Sequence, residues 1–299
     1  MCIFLVKILR RGSMDAVSYY CLDRNRKKAV ISLKGILQGI AADQQLNEVE
    51  VLFLDVWLKS QEHLRDDPDA IDLIDAVDDI LADGIVTEEE IEDLKCLVND
   101  IVEFKDFPRQ KDIDRVNEFL GVLSGVVADD VLNYEEMSSL IEWLNSNDDL
   151  FDSFPINLVV KQLDQLNNSV AEQSSPDDLL NFLKQVSGAK FSETGSADVH
   201  PLSFIEDMLE AMTHHNSTIC VSGEFDFGSR DDVMEVATAR GYRVTGSISK
   251  KTDYLIFGSK VSPNWGSSNF GGKIEKAVKL RLEGHPIKIV SESQWLGFL

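Results

Sequence analysis

Apolar residues recur along this chain at two different periods. Between about residue 30 and residue 165 they fall three and four apart, the spacing of one face of a helix. From residue 215 onward the pattern breaks into short apolar runs separated by helix-period segments. Thr218-Ile-Cys-Val-Ser-Gly223, Arg243-Val-Thr-Gly246, Tyr254-Leu-Ile-Phe-Gly258 and Pro286-Ile-Lys-Ile-Val290 read as four strands. Between the first two, Ser229-Arg-Asp-Asp232 starts a helix with a serine cap and early acids, and Gly241 stops it. Gly271-Gly-Lys273 opens a second helix, Ile274 to Leu282, and Ser291-Glu-Ser-Gln-Trp295-Leu296 starts a short last one. Strands alternating with helices at this spacing predict a small four-stranded parallel α/β sheet over residues 215–299.

The helical part contains a repeat. Ile40-Ala-Ala-Asp43-Gln-Gln-Leu46-Asn47-Glu-Val-Glu50 is one copy, Ile80-Leu-Ala-Asp83-Gly-Ile-Val86-Thr87-Glu-Glu-Glu90 the second and Val126-Val-Ala-Asp129-Asp-Val-Leu132-Asn133-Tyr-Glu-Glu136 the third. Each reads as a helix end, an Ala-Asp turn, an apolar plug and an N-cap with Glu three residues on, the spacing of a capping box. Residues 14–166 therefore read as an acidic, all-α bundle of repeated helix-turn-helix units, with Trp57 and Trp143 at matching core positions. The Asp-to-Glu spacing invites comparison with a calcium loop. Such a loop needs oxygen ligands where Asp83-Gly-Ile-Val86 places apolar residues, and caps explain both residue types, so no metal ligands are assigned.

The polar stretch Asn167 to Pro176 opens a linker, residues 167–214, with short helices at Ser175 to Val186 and Leu202 to Met212. This organisation predicts two halves that fold separately. Residues 1–13 read as a disordered leader, with Met14 as a second start.

Charge changes the picture. The net −23 divides into +6 over residues 1–34, −28 over 35–200 and −1 over 201–299. The acidic middle repels a phosphate backbone, whereas the near-neutral C-terminal part can hold a single phosphate. Four widely spaced cysteines without a CxxC pair read as reduced thiols of a cytoplasmic protein, and no apolar run approaches the ~20 residues of a membrane span. The chain shows no Lys-x-Asp-Gly, GxSxG or GxGxxG motif, so it is read as non-enzymatic and without a cofactor.

Five pieces in order, Val221-Ser-Gly-Glu-Phe225, Gly241, Val244-Thr-Gly-Ser-Ile-Ser-Lys-Lys-Thr-Asp-Tyr-Leu-Ile256, Gly272-Lys-Ile-Glu-Lys-Ala277 and Ile289-Val-Ser-Glu-Ser-Gln-Trp295, resemble the BRCT family of DNA-repair and replication modules. The resemblance is greatest to the modules of bacterial NAD-dependent DNA ligases and polymerase-associated exonucleases. It implies a phosphate site in which Ser222 donates its hydroxyl, Gly223 its N–H and Lys273 its charge. Arg230 adds a second cation, and Trp295 is the buried aromatic of the last helix. Ser259 to Gly271 is longer than the matching loop of the ligases, and Trp265 within it is expected to be exposed. The Asp-turn repeat is similar to TerB-like helical domains, whose members have been associated with metal binding and stress responses.

These readings together describe an adaptor in DNA repair or replication. The C-terminal module binds a phosphorylated protein partner or a DNA 5′-phosphate end, and the acidic bundle is an interaction platform. The alternatives are a TerB-like metal or stress-response protein and an accessory subunit of a DNA ligase or nuclease.

Overall fold

The computed structural model describes residues 16–43, 45–84, 86–104, 111–168, 176–262 and 265–299; the expected leader, residues 1–13, and most of the polar stretch after Asn167 lie outside them. Among the described residues nine α-helices precede the first strand: α1 (Ala16–Ile40), α2 (Glu48–Ser60), α3 (Pro68–Leu81), α4 (Glu88–Phe104), α5 (Asp112–Val126), α6 (Tyr134–Ser146), α7 (Ile156–Asn168), α8 (Pro176–Ser187) and the one-turn α9 (Phe191–Thr194).

Helices α1 and α5 meet along four glycines. A Cβ added at Gly35 would lie 2.1 Å from the Glu118 carbonyl oxygen, and one at Gly39 2.4 Å from that of Val122. Reciprocally, a Cβ at Gly121 would lie 2.5 Å from the Ser32 carbonyl oxygen and one at Gly125 2.5 Å from that of Ile36. Only residues without a side chain allow two helix backbones this close, near enough for Cα–H groups to face carbonyls. Gly35 faces Gly121 and Gly39 faces Gly125, so the helices run parallel. Lys27–Asp114 (2.6 Å) and Lys34–Glu118 (2.7 Å) flank the seam.

The seam brings the first and third turn repeats together. Asn47 and Asn133 each close the predicted capping box with Glu50 and Glu136. Each asparagine then donates its side-chain N–H across the seam, Asn47 to Asp129 and Asn133 to Asp43, both at 2.8 Å. The other carboxylate oxygen of each aspartate accepts a backbone N–H in its own turn. Thr87 and Glu90 make the same box at the start of α4. Burial raises the Glu50 carboxyl to about 9; the Asn47 N–H opposes this, and the charges of Asp129 and Asp43 add to it. Burial likewise lifts Glu136 to about 7, against the Asn133 N–H and with Asp129 and Asp43.

The C-terminal module follows the predicted order: β1 (Thr218–Ser222), α10 (Arg230–Ala239), β2 (Arg243–Thr245), β3 (Tyr254–Phe257), α11 (Gly272–Leu282), β4 (Lys288–Ser291) and α12 (Glu292–Leu296). All strands are parallel, in the order β2-β1-β3-β4, with Cys220 opposite Leu255 and Ile256 opposite Val290. Trp295 is fully buried, as expected, in a core with Ile219, Val233 and Ile256.

Three expectations change. Leu202 to Met212 is not an amphipathic helix. After one 3-10 turn at Ser203–Ile205 it runs as a strap along β4. The sheet edge outbids the helix for its polar groups: Asp207 exchanges two hydrogen bonds with the Ile289 backbone, and Glu206 accepts from Ser291 and Gln294. The second is that the two halves, each with an apolar cluster of its own, also share one. One apolar cluster runs from Phe119, Leu123, Phe154 and Leu183 of the helical part to Leu255, Phe270 and Ile274 of the module. The third concerns Trp143, which is half-buried rather than fully enclosed and lies against Phe119, with ring centroids 5.1 Å apart; Trp57 is core as expected.

Two outcomes follow from this packing. Gly121→Ala forces a methyl into the α1 backbone and should lower stability by about 1–3 kcal/mol in urea unfolding, the range for overpacking a tight contact; an unchanged midpoint would show that the seam opens freely. Glu50 and Glu136 have folded pKa values above the ordinary carboxylate value, so the folded state holds more protons than the unfolded chain. Their contribution is full below about 4.5 and is lost as pH rises through about 7 and then about 9. Melting temperature should fall between pH 5 and pH 9, and the Glu50→Gln/Glu136→Gln double variant should flatten that slope.

Candidate functional site

In an open parallel sheet the strand order turns outward at one point, and ligands bind beyond the carboxyl ends of the strands there. Here that point lies between β1 and β3, because the chain leaves β1 for one side and β3 for the other. Ser222 and Gly223 end β1, and Gly258 follows β3. Gly223 has φ +88°, a left-handed conformation that tolerates no side chain cheaply.

Two helix N-termini flank this crevice. Arg230 is the first residue of α10, after the Ser229–Asp232 capping box. Lys273 is the second residue of α11, after the Gly271 cap. Both side chains turn back to one oxygen, the Val221 carbonyl: Arg230 donates at 3.1 Å and Lys273 at 3.0 Å. Neither forms an ion pair with a carboxylate among the described residues, in a chain with 52 acidic side chains. The Ser222 hydroxyl and the Gly223 N–H have no hydrogen-bond partner among the described residues. Ser222 is 2% exposed and forms the floor; Arg230 is the exposed rim. The four residues singled out in the sequence thus converge on one notch. Two cations on one carbonyl repel each other, and two helix dipoles add positive potential, so the arrangement favours an anion.

Glu292, part of the Ile289-to-Trp295 piece but given no role there, holds the rim in place. Its side chain is buried and accepts the N–H groups of Asp226 (3.1 Å), Phe227 (2.7 Å) and Ser259 (2.9 Å) and the Ser259 hydroxyl (2.7 Å). Burial acts to raise its pKa, but these donors outweigh burial and lower it, so the charge is kept. One carboxylate therefore ties the loop after β1 to the loop after β3.

Trp265 is 9% exposed rather than solvent-facing. Its indole lies beside Gly223 and Gly271: a Cβ at Gly223 would be 3.2 Å from the ring, and one at Gly271 2.5 Å from its nitrogen. The long loop that holds it is sewn to the helical part. Asn117 of α5 donates to the Gly266 carbonyl (3.0 Å) and accepts the Ser268 N–H (2.9 Å). Asn269 donates to the carbonyls of Val186 (2.8 Å) and Ser187 (3.1 Å), and Phe270 meets Phe154 edge-on at 4.9 Å. Exposure was expected because loop residues usually face water; here the facing surface belongs to α5 and α8, distant in sequence.

No group of three or more His, Cys, Asp or Glu side chains placed to hold a metal occurs among the described residues, and no described helix is long and apolar enough to cross a membrane.

The family model of the BRCA1 C Terminus (BRCT) domain matches residues 214–297. The same region is similar to the DNA ligase of Clostridium novyi strain NT, 33% identical over 96 residues that cover 32% of this chain and 12% of the ligase. It is 35% identical to the DNA ligase of Parabacteroides distasonis over 82 residues, 27% of this chain and 10% of the ligase. A longer match, to the DNA ligase of Clostridium tetani, is 26% identical over 145 residues, 45% of this chain and 20% of that protein. The chain thus covers at most a fifth of the length of these relatives. No solved structure matches it significantly. Sheet order, the two flanking helices, the buried tryptophan of the last helix and the family match agree: residues 214–297 of this chain are a BRCT domain.

Proposed function

We propose that the chain is a non-enzymatic adaptor of DNA repair or replication, and that its BRCT domain binds a phosphorylated protein partner in the Ser222–Gly223–Arg230–Lys273 notch. The observation that carries this reading is the pair of cations turned onto the Val221 carbonyl without a carboxylate, beside an unpartnered hydroxyl and an unpartnered backbone N–H. The oxygens of one phosphate group offer acceptors for these four donors. The acids around the notch, Glu224, Asp226, Asp231 and Asp232, tolerate one phosphate on a protein chain better than the continuous charge of a DNA backbone. The acidic bundle, packed against the domain, serves as the platform that presents it.

The second reading, a DNA 5′-phosphate end, is favoured by the relatives, which are DNA ligases. A terminal phosphate carries more charge than an internal one and protrudes as a phosphoserine does.

The test titrates the full chain with a phosphoserine peptide and a 5′-phosphorylated duplex, each beside its dephosphorylated counterpart. Lys273→Ala and Arg230→Ala should each weaken the phosphorylated ligand by a charge-assisted contact, about 1.5–3 kcal/mol or roughly tenfold or more. Tighter binding of the peptide supports the first reading and of the duplex the second. Equal binding of phosphorylated and dephosphorylated forms of both ligands sinks the notch as a phosphate site.

A further inference from the structure

The two halves of the bundle are copies of each other. Helix α6 (Tyr134–Ser146) begins and ends 86 residues after α2 (Glu48–Ser60), and the 3-10 turn Asp148–Leu150 lies 86 residues after Glu62–Leu64. The seam glycines keep the same offset, Gly35 with Gly121 and Gly39 with Gly125. Contacts across the seam are reciprocal, as in Asn47–Asp129 and Asn133–Asp43, so a two-fold relation exchanges α1 with α5. Such a seam has two equivalent grooves, one on either side.

The first groove is bridged by ion pairs. Asp114 meets Lys27 at 2.6 Å, Glu118 meets Lys34 at 2.7 Å, and Arg115 meets Asp149 of the turn after α6 at 2.6 Å. In the second groove the two-fold carries these pairs to Lys28 and Ile113, Ser32 and Leu120, and Ala29 and His63. None of the three brings opposite charges together. This second groove is open. It forms a concavity of about 720 Å³, walled on its far side by the loops after β1 and β3, and five of the six exchanged residues, all but Ile113, line it. Sites for specific ligands are commonly ~300–1,000 Å³.

The exchange leaves three polar groups of α1 unmet, all on one face of the helix at spacings of three and four residues. Lys28 has no carboxylate partner among the described residues. It donates only to the Trp265 carbonyl, at 3.3 Å, although an ammonium carries three N–H groups. Burial, and then the charge of Arg24, lower its pKa to about 8, so an anion beside it is electrostatically favoured. The Ser32 hydroxyl has no partner among the described residues. Asn25 is 8% exposed, and its side-chain oxygen is likewise unpartnered. A buried acceptor in that state carries a desolvation cost that a ligand donor removes.

We propose that this groove binds a phosphorylated sugar, free or as the ribose phosphate of a nucleotide, with the phosphate on Lys28 and Ser32 and a sugar hydroxyl donating to Asn25. The phosphate takes the place that carboxylates fill in the twin groove. A phosphate dianion alone is chiefly an acceptor and leaves Asn25 unmet. Asn25 lies one helical turn, ~5 Å, from Lys28, a distance that a sugar hydroxyl a few bonds from its phosphate spans. Ile36, Trp57 and Leu120 offer apolar surface to the carbon body. The site is made by the bundle and stands apart from the phosphoprotein reading of the notch.

The experiment is calorimetry on the full chain with AMP, ribose 5-phosphate, adenosine and inorganic phosphate. AMP or ribose 5-phosphate should saturate one site, with adenosine and inorganic phosphate each weaker by about tenfold or more, the loss of a charge-assisted contact or of a buried partner. Tighter binding of AMP identifies a nucleotide, and equal binding a sugar phosphate. Lys28→Gln keeps a donor for the Trp265 carbonyl but removes the charge, and should weaken the phosphorylated ligand about tenfold. The double variant Ala29→Arg/His63→Asp writes the Arg115–Asp149 bridge into the open groove and should abolish binding. Lys273→Ala, which disables the notch, should leave the affinity as in wild type. Melting curves matching wild type establish that each variant is folded. Failure of both phosphorylated ligands to bind, equal binding of AMP and adenosine, or an affinity that Lys28→Gln leaves unchanged overturns the proposal. Loss of binding in Lys273→Ala places the phosphate in the notch and overturns it too.

Discussion

The loop from Trp265 to Phe270 is the constraint on which the rest of the molecule's organisation depends. Once the bundle covers it, its backbone polar groups need partners that the irregular turn does not supply internally. Asn117 satisfies two of them, and Asn269, fully buried, places its own amide on the carbonyl end of α8. The last carbonyls of a helix lack intrahelical donors, so this contact satisfies α8 as well as the loop. Phe270 and Trp265 then close the apolar cluster that both halves share. The loop joins the two layers and at the same time forms one side of the notch.

That docking has meaning only because the bundle surface is itself held in register. Asn117 lies on α5 and Lys28 on α1, and the glycine seam locks these two helices against each other. A parallel pair could slip by a turn if its contacts were ordinary side chains. Here a slip would drive a side chain into a backbone carbonyl, and it would break the reciprocal Asn47–Asp129 and Asn133–Asp43 bonds at the helix ends. The buried Glu50 and Glu136 pull in the opposite direction, since four carboxylates gather at one end of the seam. Proton uptake relieves that repulsion, so the most acidic part of the chain is most stable when partly neutralised.

The distribution of charge follows the same geometry. Lys27 and Lys34 of the bundle's first helix form ion pairs along the seam, while Arg230, Lys273 and Lys28 sit on backbone carbonyls at the edge between bundle and domain. A carbonyl is a weaker counter-ion for these three than a carboxylate. Glu292, held ionised by four donors, keeps the two loops around them from spreading.

The sequence by itself determined the local structure: the four strands, the two glycine-ended or serine-capped helices beside them, the capping boxes of the bundle and the four residues of the notch. These follow from interactions within a few residues, such as Asn47 with Glu50 or Ser229 with Asp232, or from short motifs whose spacing survives folding. The pairs Gly35/Gly39 and Gly121/Gly125 stand four apart in the sequence, but nothing local links α1 to α5, so their pairing came only with the tertiary structure. Only the tertiary structure decided what faces what. The strap at 206–212 has a helical pattern, yet it lies along β4 because the sheet edge offers better hydrogen bonds. Trp265 sits in a polar loop, yet it is buried because α5 and α8 cover it. Asn25 and Lys28 look like solvated helix residues until the domain closes over them. In each case the deciding partner is distant in sequence, and long-range burial outweighed the local preference.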